Sequence, residues 1–233
     1  MSIEEQIEKM RRDWDERAST NARYFVYTDE VLSDEEFFQT GEETAREVIL
    51  NDMANICQGK DPKAMRVLEI GCGIGRVTRV LASLFGEVHA VDVSGEMVRQ
   101  AQETLSRFSN AFIYQNNGMD LAVIPAEPFD FAFSHLVFQH VPSRDIVESY
   151  VREAHRLLRP GALFKFQVQG ATEIRPHLKS DDTWVGVAFS QEEVVQMAKR
   201  CGFESRYRHG AGTQYFWNWF FKEGGASRPA PRW

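Results

Sequence analysis

The sequence predicts an α/β fold with a doubly wound, mostly parallel seven-stranded sheet and an antiparallel last strand. A short apolar strand at 67–70 runs directly into a glycine-rich turn and then into a helix-like apolar pattern. Further apolar segments of strand length alternate with amphipathic segments of helix length, which is typical of parallel sheets. The chain has 233 residues, 43% of them hydrophobic, which is enough to bury a sheet in one domain.

Five strands are predicted to alternate with helices, at about 66–71, 87–92, 111–115, 129–135 and 162–169. Another helix is expected at Gln191–Cys201, because Ser190 is a favourable N-cap and Gly202 a favourable stop. The last two strands, near 203–209 and 214–222, are too close in sequence for a helical crossover. We therefore expect them to form an antiparallel pair.

Two helices are predicted before the sheet. The first covers about 3–18, where apolar residues recur at helical spacing, and the second covers about 34–58 after a capping signal at 33–36. This divides the chain into an N-terminal helical segment, a core and a tail of disorder-prone composition, with the boundaries 1–62, 63–223 and 224–233.

The glycine-rich turn after the first core strand predicts a ligand site. Gly71, Gly73 and Gly75 occupy alternate positions, and glycine lets a ligand approach the backbone closely. The helix that follows points free N–H groups at whatever lies above the turn. Arg76 stands where a dinucleotide fingerprint has its third glycine. Glu69 would repel a pyrophosphate but suits an ammonium group, so the pattern disfavours a dinucleotide.

A second acid, Asp92, ends the next predicted strand. An acid at this place binds the ribose hydroxyls of a nucleotide-type ligand. Together with Glu69 and the turn, it indicates a ligand that carries both a ribose and an amino group.

With these residues in place, the segment 66–161 resembles a class I S-adenosylmethionine-dependent methyltransferase, of the small-molecule group that includes the ubiquinone and menaquinone pathway enzymes. The resemblance implies a Rossmann-like sheet and S-adenosyl-L-methionine as cofactor, with S-adenosyl-L-homocysteine as product. Asn117 stands where the family often has an acid, and its amide accepts the same hydrogen bond. The cofactor contacts that the resemblance implies are Glu69, Gly71, Cys72, Gly73, Asp92, Val93, Met97, Asn117, Gly118, Met119, Ser134 and His135.

The loop after the fourth strand supplies the candidate catalytic residues, because in similar enzymes it faces the methyl acceptor. His140 is the first candidate base, His135 the second, and Gln139 is placed to orient the acceptor. Histidine titrates near neutral pH and takes a proton without a permanent charge beside the sulfonium. The alternative for His140 is a structural role in fixing the loop, and for His135 a contact with the cofactor.

The acceptor itself is expected under the N-terminal segment, which in similar methyltransferases folds over the cleft as a cap. Its aromatic side chains are candidates for an apolar acceptor pocket, although we expect Trp14 to pack the cap onto the sheet. The predicted acceptor contacts are Tyr24, Phe25, Gln139, Gln169, Trp184 and Gln214.

Composition excludes several other classes. The net charge of −7 disfavours nucleic acid, and no apolar run approaches the ~20 residues of a membrane span. Three separated cysteines give neither a disulfide framework nor a metal site, so we expect no metal and a cytoplasmic monomer or homodimer.

The sequence thus favours an enzyme that moves the methyl group of S-adenosylmethionine to an O, N, S or C nucleophile of a small molecule. Two alternatives stay open. One is an NAD(P)-dependent oxidoreductase on a similar sheet, against which Glu69 and Arg76 both count. The other is a cofactor-binding module without catalytic activity.

Overall fold

One sheet organises the computed structural model, which describes residues 1–28, 33–171 and 183–224. Within these ranges its strand order is β3-β2-β1-β4-β5-β7-β6. The strands are β1 (Arg66–Ile70), β2 (Glu87–Asp92), β3 (Ala111–Gln115), β4 (Phe129–Ser134), β5 (Leu158–Val168), β6 (Phe203–His209) and β7 (Phe216–Lys222).

Strand direction follows the prediction. The neighbouring pairs from β3 through β5 are parallel, whereas β7 lies antiparallel between β5 and β6. This confirms the predicted fold class. The order reverses between β1 and β4, and open α/β sheets bind their ligands at the carboxyl ends of the strands beside such a reversal.

The helices cover both faces of the sheet. Clusters of buried apolar side chains join one face to α6 and α7, and the other face to α2, α3 and α4. The helices are α1 (Ile3–Val26), α2 (Asp34–Val48), α3 (Met53–Cys57), α4 (Thr78–Leu84), α5 (Gly95–Thr104), α6 (Arg144–Leu157) and α7 (Gln191–Arg200).

The N-terminal helices differ from their predicted bounds. α1 continues to Val26 across a kink at Asn21, whose side-chain Oδ1 accepts the backbone N–H of Tyr24 at 3.2 Å and so caps a new turn. The predicted helix at 34–58 is interrupted by a 3₁₀ turn at Leu50–Asp52. At this turn the Asp52 side chain points into the protein, and the residue is only 4% exposed.

Two other predictions concern the tail and membrane-spanning helices. The tail at 224–233 is predicted to be disordered, and its residues 225–233 lie outside the described part of the chain. In the described part, no helix is both long enough and apolar enough to cross a membrane.

A buried ion pair joins the N-terminal segment to the sheet. Lys165 of β5 donates to the Asp52 carboxylate at 2.8 Å and to the Val48 carbonyl at 2.6 Å. The indole N–H of Trp219 donates to the same Asp52 oxygen at 2.5 Å, and Asn55 donates to the other at 2.8 Å. Burial lowers the pKa of Lys165, and the Asp52 carboxylate opposes that shift. Both charges are therefore satisfied without water.

We predict that Lys165→Met lowers the free energy of unfolding by about 3–5 kcal/mol, because it leaves the Asp52 carboxylate buried without its cation. Urea unfolding of the full chain measures this. The double variant Asp52→Asn, Lys165→Met should regain part of the loss, since it removes both charges. Arg99→Met, which breaks an exposed ion pair with Glu96, is the control and should change stability little. A small loss in the single variant would contradict the prediction.

Candidate active site

A cavity of about 370 Å³ opens at the carboxyl ends of β1, β2 and β4. Its volume lies in the range of small-molecule sites. Its floor comes from the turn after β1 and the loops after β2 and β4, and Met10 and Trp14 of α1 cover it. Most of the predicted cofactor residues lie on its wall, namely Glu69, Gly71, Cys72, Gly73, Asp92, Val93, Met97 and His135.

The turn after β1 requires glycine. Gly71 and Gly73 have φ values of 78° and 52°, in the left-handed region. A Cβ atom at Gly71 would lie 2.2 Å from Cγ2 of Val137, and one at Gly73 would lie 2.9 Å from Cγ2 of Val26. The turn therefore packs directly against the loop after β4 and against the end of α1.

Asp92 is fixed by backbone donors. Its Oδ2 accepts the N–H of Gly73 at 2.9 Å, and its Oδ1 accepts the N–H of Ser94 at 3.0 Å. Burial raises the pKa of Asp92, and these N–H groups oppose the shift. The carboxylate thus ties the turn after β1 to the loop after β2 while its side chain lies on the cavity wall.

Glu69 lies below the turn at 4% exposure, and its Oε2 has no hydrogen-bond partner. Burial raises its pKa to about 7, against the opposing effects of Thr78 and Arg76. Arg76 is itself buried, and its guanidinium donates to the hydroxyls of Thr40 and Thr44 on α2 at 3.2 and 3.0 Å. A buried carboxylate oxygen without a partner suits an ammonium group of a ligand.

Asn116 is a site residue that the sequence did not single out. It is buried on the cavity wall, and its Nδ2 donates to the Tyr150 hydroxyl at 2.7 Å and to the Asp120 carbonyl at 3.1 Å. Its Oδ1 is buried without a partner. Together with Glu69, it offers two unpaired acceptors to the ammonium and amino groups of S-adenosylmethionine, so the residues present fit this cofactor.

Four predicted cofactor residues lie off the cavity wall. Asn117 is exposed, and its Oδ1 accepts the N–H groups of Met119 and Asp120, each at 2.9 Å. Gly118 is covered by Ile7 of α1, with 2.9 Å between its ideal Cβ position and Cγ2 of Ile7. Met119 packs partly buried against the core. Ser134 is buried, and its hydroxyl donates a hydrogen bond to the Ile70 carbonyl at 3.0 Å. Their contacts with the cofactor stay predictions.

Part of the cavity wall is aromatic. Phe25, Gln139, Trp184 and Gln214 lie on the wall, as does Trp14, for which the sequence favoured packing over a place in the pocket. The Trp184 ring lies 5.7 Å from the Phe25 ring and 6.1 Å from the Trp14 ring, centroid to centroid.

Two of the predicted acceptor residues lie away from this wall. Tyr24 is 48% exposed and packs its ring edge-on against Phe25. Gln169 is buried at the end of β5, where its Oε1 faces the N–H of Ala171 at 3.5 Å. Their contacts with the acceptor stay predictions.

Both candidate bases lie on the cavity wall, in different environments. The ring of His135 stacks on Trp217, and burial lowers its pKa to about 3, helped by the charges of Arg76 and Lys165. A group with so low a pKa is a weak base at neutral pH. Both ring nitrogens of His140 have partners, the Trp184 carbonyl at 2.5 Å and the Gln139 amide at 3.1 Å.

No group of three or more His, Cys, Asp or Glu side chains in the described ranges is arranged to hold a metal ion.

Comparison with known proteins agrees with this geometry. Residues 68–166 match a family model described as a methyltransferase domain. The malonyl-[acyl-carrier protein] O-methyltransferase of Salmonella typhimurium is 31% identical over 160 residues, which are 66% of this chain and 58% of that protein. A ubiquinone biosynthesis O-methyltransferase of Methylobacterium nodulans is 29% identical over 112 residues, 46% of this chain and 44% of that protein.

The fold also matches solved structures. The magnesium protoporphyrin IX methyltransferase of Synechocystis PCC 6803, with bound S-adenosylhomocysteine, superposes with a TM-score of 0.66 over 91% of this chain and 98% of that one. At 15% identity this likeness shows a shared fold.

These findings confirm the resemblance to class I S-adenosylmethionine-dependent methyltransferases. Residues 68–166 match a methyltransferase domain, and S-adenosylmethionine is the cofactor that this match indicates. The chain spans about half the length of the curated relatives it matches.

We predict that Asp92→Ala weakens S-adenosylhomocysteine binding by about 1.5–3 kcal/mol, the usual value of hydrogen bonds to a charged group. Titration calorimetry measures this. Asp145→Ala, which removes an exposed carboxylate from the first turn of α6, is the control and should bind as the wild type does. An unchanged affinity of the Asp92 variant would remove this residue from the ribose role.

Glu69 should make cofactor binding depend on pH. An ammonium group binds the ionised form of the Glu69 carboxylate. Because burial raises the pKa of Glu69 to about 7, the carboxyl group of the free protein is mostly protonated below that pH and must lose its proton when the ligand binds. Between pH 8 and pH 6, the affinity for S-adenosylhomocysteine should fall roughly tenfold. In Glu69→Gln the binding should be weaker and nearly independent of pH over this range. A flat profile in the wild type would exclude Glu69 as the ammonium partner.

Proposed function

We propose that this protein transfers the methyl group of S-adenosylmethionine to a nucleophile of a small molecule by in-line displacement. The observation that carries the proposal is that two sets of residues line one cavity. One set is the acids and the glycine turn after β1 and β2, and the other is the mutually contacting rings of Trp14, Phe25 and Trp184. The two sets suit a cofactor and an apolar acceptor side by side.

The cofactor is proposed to bind to residues around the turn after β1. Glu69 Oε2 suits the ammonium group, Asp92 the ribose hydroxyls, and Asn116 Oδ1 an amino group of the adenine. The bound cofactor supplies a methyl group made electrophilic by its sulfonium. The chain's own contribution is to align the acceptor with that group, and positioning of this kind supplies about 7–11 kcal/mol of a barrier.

The N-terminal segment is proposed as the cap that excludes water. The Asp15 carboxylate on α1 accepts the Ser94 hydroxyl at 2.6 Å, beside Asp92. Two residues farther along α1, Arg17 donates to the Thr183 hydroxyl at 2.9 Å, which in turn donates to Asp13 at 2.8 Å. α1 is thereby hydrogen-bonded to the cofactor side and to the segment that holds Trp184.

The acceptor is proposed to be flat and apolar around its nucleophile, because aromatic rings pack best against such surfaces. The relatives' names give no single acceptor, since they refer to malonyl-[acyl-carrier protein] and to ubiquinone biosynthesis. A nucleic acid is disfavoured by the net charge of −7. The O, N, S or C nature of the methylated atom is left to an acceptor screen.

Thermal unfolding with separate additions of S-adenosylhomocysteine and NAD tests the cofactor. A ligand at a hundred times its dissociation constant stabilises a fold by ~2.7 kcal/mol, which raises the melting temperature by several degrees in a chain of this size. We expect the rise with S-adenosylhomocysteine only. A rise with NAD only would favour the oxidoreductase alternative and contradict the proposal.

A further inference from the structure

Three side chains on the acceptor side form one continuous hydrogen-bonded chain. Gln167 of β5 donates to the Oε1 of Gln139 at 2.7 Å, and the Nε2 of Gln139 lies 3.1 Å from the Nε2 of His140. The Nδ1 of His140 lies 2.5 Å from the carbonyl oxygen of Trp184. Gln167, Gln139 and His140 are 1%, 5% and 7% exposed, so little water competes for these bonds.

The direction of every bond in this chain is fixed at its backbone ends. The N–H of Leu136 can only donate, and it lies 3.2 Å from Gln167 Oε1. The Gln214 carbonyl can only accept, and it lies 3.2 Å from Gln167 Nε2. Gln167 is thereby oriented, and its second N–H requires the oxygen of Gln139. The amide nitrogen of Gln139 must then face His140.

The imidazole of His140 is determined by the same reasoning. Its Nδ1 carries a hydrogen, because the Trp184 carbonyl accepts and cannot donate. Its Nε2 faces an N–H donor and must therefore be the unprotonated nitrogen. Protonation of Nε2 would place two donors 3.1 Å apart, and rotation of Gln139 to relieve this would set its amide nitrogen against that of Gln167.

We propose that Gln167 and Gln139 are positioning residues that hold His140 as the neutral Nδ1–H tautomer, so that His140 anchors the acceptor wall and does not take the acceptor's proton. The catalytic significance of this inference rests on the proposed methyl transfer. Leu136 supports it, because this residue has a φ of 57°, a strained value outside glycine, and its N–H is held by Gln167. Through the Trp184 carbonyl, this hydrogen-bonded chain of side chains also fixes the backbone of an aromatic residue on the cavity wall.

Nitrogen-15 NMR of the histidine side chains in this 233-residue chain tests the tautomer at pH 7.5, with the His140 signals identified from their loss in His140→Asn. We expect the wild type to show the Nδ1–H form. In Gln139→Glu, a carboxylate faces Nε2 and can only accept, so His140 should become an imidazolium. Gln167→Met leaves the Gln139 amide free to turn its oxygen toward Nε2 while the Trp184 carbonyl keeps the hydrogen on Nδ1, so part of His140 should become the imidazolium.

Gln102→Glu is the matched control, because it makes the same chemical change at an exposed site on α5 and should leave the His140 signals unchanged. An Nε2–H tautomer in the wild type, or unchanged His140 signals in Gln139→Glu, would overturn the proposal. Spectra with and without S-adenosylhomocysteine separate the two ideas. A tautomer as expected in a protein that S-adenosylhomocysteine does not stabilise would contradict the methyltransferase proposal and leave the hydrogen-bonded chain intact.

Discussion

The absence of a side chain at Gly71 is the constraint on which the site depends. A Cβ atom there would lie 2.2 Å from Val137, so only glycine lets the turn after β1 meet the loop after β4. That contact closes the floor of the cavity at the point where the strand order reverses. Asp92 accepts the N–H of Gly73 in the same turn, and its side chain also lies on the cavity wall.

Polar groups as well as apolar contacts connect the N-terminal segment to the core near the site. Arg76, in the turn after β1, donates hydrogen bonds to two threonines of α2, and Lys165 of β5 forms an ion pair with Asp52. Buried ion pairs and hydrogen bonds of this kind demand a defined geometry, because a displaced partner leaves a charge without solvent. Burial is the main cause of the low pKa of His135, and these two cations lower that pKa further.

The sequence predicted the strands, and it singled out the residues around the glycine turn that line the cavity, because both depend on local patterns. Alternating apolar segments mark the strands, and a glycine turn flanked by Glu69 and Asp92 marks the ligand. The predicted acceptor residues lie on the cavity wall in the same proportion as the predicted cofactor residues, four of six against eight of twelve, although they come from distant segments. Asn116 went unnoticed beside Asn117, because both follow the end of β3 and only the tertiary structure shows which of the two adjacent amides is buried.

The sequence by itself determined the order of the strands in the chain, the need for glycine in the turn, and the two acids at the carboxyl ends of β1 and β2. These depend on φ values and apolar periodicity, which are local properties. Only the tertiary structure decided the role of the polar positions of β5. Lys165, Gln167 and Gln169 alternate with apolar residues, a pattern expected of a half-exposed strand, yet all are at most 3% exposed. Partners far away in sequence, such as Asp52 and Gln139, allow that burial, and no local pattern specifies them.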